Sequence, residues 1–171
     1  AEAPIIGDGY EIKAVTFDGA QRFSDGFILD HIHAGETTWI PFTQDYSHDR
    51  GLLLADARRI EALYRAYGYY EVAVIDFGTT FNKEKRTAAV NFKIFEGRPT
   101  TIEQVHFKWT ERDETLGPEI EKLIELKQSG NFEVSKFNGS QGKIRQGLLK
   151  NGYPTARVRG SSVVDRKSRT A

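Results

Sequence analysis

One short device occurs twice in this chain, 84 residues apart, and it constrains the fold more than any other feature. A run with helical spacing ends in Gly-Tyr, first at Gly68-Tyr69 and again at Gly152-Tyr153. Leu53, Ala57, Ile60 and Tyr64 share one face of a helix, while Arg58, Arg59, Glu61 and Arg65 fall on its wetter faces. Phe137, Gln141, Ile144 and Leu148 repeat that face with one polar substitution. A second match runs alongside the first: Ile12-x-x-Val15-x-Phe17 is echoed 90 residues on by Ile102-x-x-Val105-x-Phe107. A chain that repeats itself in the same order at such a period is expected to hold two copies of one domain.

The rest of the composition narrows the chemistry. At 171 residues the chain could form one domain or two small ones, and the repeat favours two. Lys and Arg number 24 and so do Asp and Glu, so the formal net charge is zero and nothing asks for nucleic acid as a partner. No apolar run approaches the roughly 18 residues of a membrane-spanning helix. The absence of cysteine excludes disulfides, thiol catalysis and thiolate-bound metal. The chain has no methionine either, so Ala1 reads as a processed end or a cut in a longer chain, and Ala1-Glu2-Ala3-Pro4 would suit the start of a mature exported protein.

Taken in order, residues 1–9 read as a tail. Tyr10–Phe17 reads as a strand with its exit at Asp18-Gly19. Ser24 is a helix N-cap, with Phe23 and Ile28 placed as a hydrophobic staple, and the helix runs to about His33. A loop over Glu36–Tyr46 leads to the helix that carries the Leu53 face. Gly68 suits the left-handed turn that stops a helix. Tyr69–Phe77 is rich in Val, Ile and aromatics and predicts a strand, Gly78–Lys85 a turn, and Thr87–Phe95 a strand with Ala88, Val90, Phe92 and Ile94 on its buried face. Glu96-Gly97-Arg98-Pro99 ends it.

The second copy is expected to open on a strand at Ile102–Trp109. A helix starting at Pro118 follows, with Ile120, Leu123 and Ile124 inward and Gly130 closing it. A helix over 133–151, weakened by Gly139, Gly142 and Gly147, and a strand at Tyr153–Val164 complete it. Lys167 to Ala171 then matches Lys85 to Ala88. The fold class is α+β: tandem units of strand, helix, helix, strand, strand, each a three-stranded sheet covered by two helices, the second without its last strand.

The candidates for chemistry are few. His31-x-His33 could offer two metal ligands without a third, and helix-end histidines are common. Asp45, His48 and Asp49 lie close together beside Trp39 and Phe42, which keeps open a small-ligand or enzymatic protein on the same framework; capping and solvation explain them better. Gly139-x-x-Gly142 lacks the Lys and Ser or Thr of a phosphate loop. The expectation is a non-enzymatic chain with no metal and no cofactor.

The run Leu53-x-x-Asp56-x-x-Arg59-Ile60-x-x-Leu63-Tyr64-x-x-x-Gly68-Tyr69-Tyr70 resembles the most recognisable stretch of the POTRA (polypeptide-transport-associated) domain. Ala88-x-Val90-x-Phe92 leading to Glu96-Gly97-Arg98-Pro99 is similar to that family's third strand and its ending. The resemblance covers about residues 10–171 and divides the chain into a tail (1–9), a first domain (10–98) and a second (99–171) truncated before its third strand. It implies a periplasmic binding and scaffold module, attached to a C-terminal outer-membrane β-barrel, of a Bam- or Tam-type assembly factor or a related secretion transporter. The implied partners are unfolded outer-membrane clients or accessory lipoproteins, bound by β-augmentation at the edge of the second strand. Here that edge corresponds to Tyr70, Val72, Val74, Asp76 and Phe77, although a strand merely buried on both faces would read the same way. Gly68, Tyr69, Gly152 and Tyr153 are expected to be structural corners.

Overall fold

The computed structural model describes residues 11–32, 50–110 and 114–171. By their contacts these fall into two compact units. One holds the chain up to Arg65 together with Glu71–Gly97; the other holds Ala66–Tyr70 with Arg98–Ala171.

The first unit is built on a three-stranded sheet. β1 (Glu11–Asp18) is followed by helices α1 (Asp25–Ile32) and α2 (Arg50–Ala66), then by β2 (Ala73–Asn82) and β3 (Thr87–Phe95). The strand order is β1-β3-β2, with β1 parallel and β2 antiparallel to the central β3. Each element follows from its residues. Ser24 Oγ accepts the Phe27 N–H at 3.3 Å and starts α1, while Phe23 and Ile28 are both buried as a staple would require. On α2 the spacing holds throughout, since Leu53, Ala57, Ile60 and Tyr64 are all buried. β3 alternates as expected: Ala88, Val90, Phe92 and Ile94 are buried under the helices, and Lys93 and Phe95 lie exposed on the other face.

β2 differs from the expectation in both of its ends. It begins at Ala73 rather than Tyr69 and continues to Asn82, through Gly78-Thr79-Thr80-Phe81, which read as a turn. The reason is pairing. Gly78 through Asn82 lie opposite Asn91 through Thr87 without a break, so their ladder to β3 overrides the weak strand preference of Gly and Asn. The turn itself is the four residues Lys83–Arg86, whose last member takes a left-handed φ of 50°.

The second unit holds α3 (Gly117–Glu121) and α4 (Val134–Lys150). Pro118 lies at the start of α3, where a missing N–H does no harm, but the helix stops at Glu121, well short of Gly130. Leu116, Ile120, Ile144 and Leu148 form the core, with Phe107, Trp109, Ala156 and Val158 packed against it. Three glycines do not prevent α4. Gly147 has a packing reason, because a Cβ there would sit 2.8 Å from Ile120 Cδ1 and 3.0 Å from Leu123 Cδ1.

The expected strands at Ile102–Trp109 and Tyr153–Val164 are absent as ladders; among the described residues this unit has only isolated bridges. A ladder needs a neighbouring backbone; among the described residues Thr101–Glu103 finds one, pairing with Arg169–Ala171 through bonds of 2.9 to 3.0 Å. That small patch nevertheless repeats the first unit. Thr101 pairs in parallel with Thr170 as Glu11 does with Thr87, and Asp165 pairs with Thr170 as Asn82 does with Thr87. Both turns end on an arginine with left-handed φ, Arg86 at 50° and Arg169 at 58°. Both are also closed by the side chain of their first paired residue: Asn82 Oδ1 accepts from Lys85 N at 3.0 Å and Asp165 Oδ1 from Lys167 N at 2.8 Å. The Lys167 N–H, helped by Ser168, holds the Asp165 carboxyl below the usual carboxylate range.

Candidate binding edge

β2 is an edge strand, because β3 lies on one side of it and no strand of the described residues lies on the other. It is ten residues long and contains no proline. An edge of that kind carries N–H and C=O groups able to pair with another backbone.

The edge is irregular at its start. A bulge falls between Val74 and Asp76, where Ile75 is extra and 59% exposed. Glu61 reaches over from α2, and its Oε1 accepts the Val74 N–H at 3.1 Å. Its other oxygen takes Arg65 Nη2 at 2.9 Å. One step further on, Asp76 Oδ1 accepts the Phe77 N–H at 2.9 Å. Glu61 and Arg65 read from the sequence as water-facing residues; α2 spacing gave no sign that Glu61 would bind the start of β2.

The end of β3 carries a second cluster that the sequence did not reveal. Glu96 Oε1 accepts three hydrogen bonds of 2.8 Å, from Gln21 N, Arg22 N and Tyr64 Oη. One carboxylate oxygen thus ties the β1–α1 connection, α2 and β3 together. Glu96 was read only as part of a strand ending.

A protein-family model described as "POTRA: Surface antigen variable number repeat" matches residues 10–97. The chain belongs to the POTRA family. No curated protein matches it. Among solved structures it is similar to BamA POTRA3-5 of Haemophilus influenzae, at 19% identity and a TM-score of 0.48, over 94% of this chain and 63% of that one. It is also similar to the N-terminal domain of Omp85 from the thermophilic cyanobacterium Thermosynechococcus elongatus, at 16% identity and a TM-score of 0.36, over 95% of this chain and 63% of that one. A third is POTRA1-2 of the periplasmic domain of Omp85 from Anabaena, at 10% identity and a TM-score of 0.34, over 99% of this chain and 93% of that one. The chain thus spans less than two thirds of the first two of these structures.

Within this POTRA chain the expected edge residues separate. Val74, Asp76 and Phe77 lie on β2, with Phe77 turned toward the core and its ring centroid 6.2 Å from that of Phe92. Val72 precedes the strand and is buried, so its side chain offers nothing to a partner. Tyr70 also precedes the strand and groups with the second unit, where burial pushes its phenol up against the opposing pull of the Arg166 guanidinium. These two are therefore corrected out of the edge: strand pairing begins only at Ala73, opposite Phe95.

The POTRA corners separate too. Gly68 and Gly152 both take φ of 90°. The second closes α4 in a Schellman arrangement, with Gly152 N donating to Leu149 O at 3.2 Å and Tyr153 N to Leu148 O at 3.0 Å. Tyr69 is 8% exposed, whereas Tyr153 is 42% exposed, so the second tyrosine is the less buried of the two.

His31 bonds Phe27 O at 2.8 Å through Nδ1 and packs on the Phe27 ring, and no group of three metal-ligating side chains occurs among the described residues. His33, Trp39, Phe42, Asp45, His48 and Asp49 lie outside the described residues.

Proposed function

We propose that this chain is a periplasmic scaffold and binding module, without catalytic activity, of a machine that inserts or exports outer-membrane β-barrel proteins. It serves a barrel borne by the same polypeptide. It holds client polypeptides, or accessory lipoproteins, by adding an extended segment of the partner to the outer edge of β2. Family membership over residues 10–97 supports the setting. The observation that carries the mode of binding is the position of β2 at the edge of the β1-β3-β2 sheet, long and free of proline.

Thr79→Pro tests it. In an antiparallel ladder, residues face the partner strand and the outside alternately. The Phe77 N–H, taken by Asp76, belongs to the outward set, and Thr79 is the next member of that set. Proline at Thr79 removes an outward donor and leaves the ladder to β3 intact. Thr79→Pro is expected to remain folded and to lose at least tenfold in affinity for a denatured β-barrel polypeptide diluted from urea. Unchanged affinity in the folded variant would overturn the edge assignment.

A further inference from the structure

The zero net charge of the chain hides an uneven distribution. Residues 134–171 hold nine of the 24 Lys and Arg and one of the 24 Asp and Glu. That one acid, Asp165, commits Oδ1 to the backbone N–H groups of Lys167 and Ser168. In the first half of α4 the cations are answered, Lys136 by Glu133 and Lys143 by Glu125. Beyond Lys143 the pairing thins. Arg145, Lys150, Arg157, Arg159, Arg166 and Lys167 are exposed, and among the described residues none of their side chains has an acidic partner. Six like charges so close in sequence repel one another and attract an anion.

Their placement says which anion. Ile144 and Leu148 seat α4 on the core of the second unit, and Arg145 and Lys150 lie outside that buried face. After the Gly152 corner, Ala156 and Val158 pack on the same core and alternate with the exposed Arg157 and Arg159. The cations therefore lie on two sides of one core, joined through the corner. A flat anionic membrane meets one side only, whereas a flexible acidic chain can follow the corner and meet both. A helix lying in a membrane interface also presents a broad apolar face. α4 exposes one large apolar side chain, Leu149, at 57%.

We propose that the stretch from Arg145 to Lys167 forms a second binding surface of this chain, which takes an acidic segment of an extended polypeptide. The segment passes Arg145 and Lys150, turns with the Gly152 corner and continues along Arg157 and Arg159. Its carboxylates pair with the guanidinium and ammonium groups, and Leu149 and Val163, the latter 84% exposed, give it apolar contacts. Charge attraction of this kind speeds capture and selects among partners. The surface lies in the second unit, goes beyond the strand-addition reading and does not depend on it.

The test is a fluorescence-anisotropy titration with a dye-labelled, acetylated and amidated peptide of alternating Glu and Gly. About 12 residues give it an extended reach of about 40 Å. A peptide with Gln in place of Glu is the control. In about 20 mM salt the Glu peptide is expected to bind at least tenfold more tightly than the Gln peptide, and to lose that advantage at about 500 mM. Arg145→Gln with Lys150→Gln, and Arg157→Gln with Arg159→Gln, are each expected to weaken binding by about five- to tenfold. Lys83→Gln with Lys85→Gln, in the first unit, is expected to leave Kd within about twofold. All six positions are exposed, so the variants keep the fold, and the salt dependence is read on the unaltered chain. Thr79→Pro is expected to leave this binding unchanged, which separates it from the β2 edge. Equal binding of the Glu and Gln peptides would overturn the proposal. So would equal weakening by the Lys83, Lys85 variant, which would reduce the effect to net charge. Binding to phosphatidylglycerol vesicles without binding to the peptide, weakened by one pair of substitutions alone, would replace the acidic polypeptide with a membrane.

Discussion

Gly68→Ala is expected to destabilise the second unit by about 3–4 kcal/mol, while Gly152→Ala, at the matching corner, is expected to cost only about 1 kcal/mol. Both glycines have φ of 90°, so both substitutions carry the penalty of placing a Cβ in the left-handed region. The difference is steric. A Cβ at Gly68 would fall on the backbone carbonyl of Phe132, well inside contact distance, whereas a Cβ at Gly152 meets nothing within 4 Å. The Phe132 carbonyl has little room to move, since its own N–H donates to Thr100 O at 2.9 Å and Thr100 N donates to Gly68 O at 2.8 Å. Urea unfolding followed through the indole N–H signal of Trp109, which donates to Glu121 Oε1 at 3.0 Å, reads the second unit directly. Equal losses at the two glycines would contradict this account.

Glu96→Ala is expected to cost the first unit about 3 kcal/mol, because a single oxygen is lost from two backbone N–H groups and the Tyr64 hydroxyl. Tyr64 is fully buried and depends on that acceptor most, while Gln21 and Arg22 are exposed and can turn to water. Glu96→Gln keeps a carbonyl oxygen in place and is expected to recover more than half of the loss. Urea midpoints for the two variants, read from methyl signals of Val90 or Ile94 in the core, check the order. A Glu96→Ala variant within about 0.5 kcal/mol of the unaltered chain would show that the clasp is not structural.

Much of the first unit was legible because its signals are local and periodic. The α2 face, the Ser24 cap and the alternation along β3 each require only residues within a few positions of one another. The class of fold followed from their order. What stayed hidden is decided between distant residues. Gly78–Asn82 carries turn composition and becomes strand because β3 lies beside it. Glu61 has the spacing of a solvated residue and becomes the acceptor for a strand N–H thirteen positions on. Asp56, which the helical spacing left unassigned to either face, is buried and paired with Arg59 at 2.9 Å.

In the second unit the strands were not predictable from pattern alone. Phe107 and Trp109 pack on the core as strand residues would, and Val158 does the same, while among the described residues no ladder forms with the backbones that carry them. At the candidate edge the start of the strand was misplaced, because Tyr70 and Val72 have strand composition and belong to the corner that precedes it.

The central point is whether β2 pairs with another backbone. Isotope-filtered nuclear Overhauser spectra of the labelled chain, bound to an unlabelled extended peptide, report that pairing atom by atom. Cross-strand contacts from the peptide Hα and amide protons to the backbone of Thr79 and its neighbours on β2 are the predicted result. Peptide contacts confined to the helices or to the β1 edge, with none on β2, would contradict it.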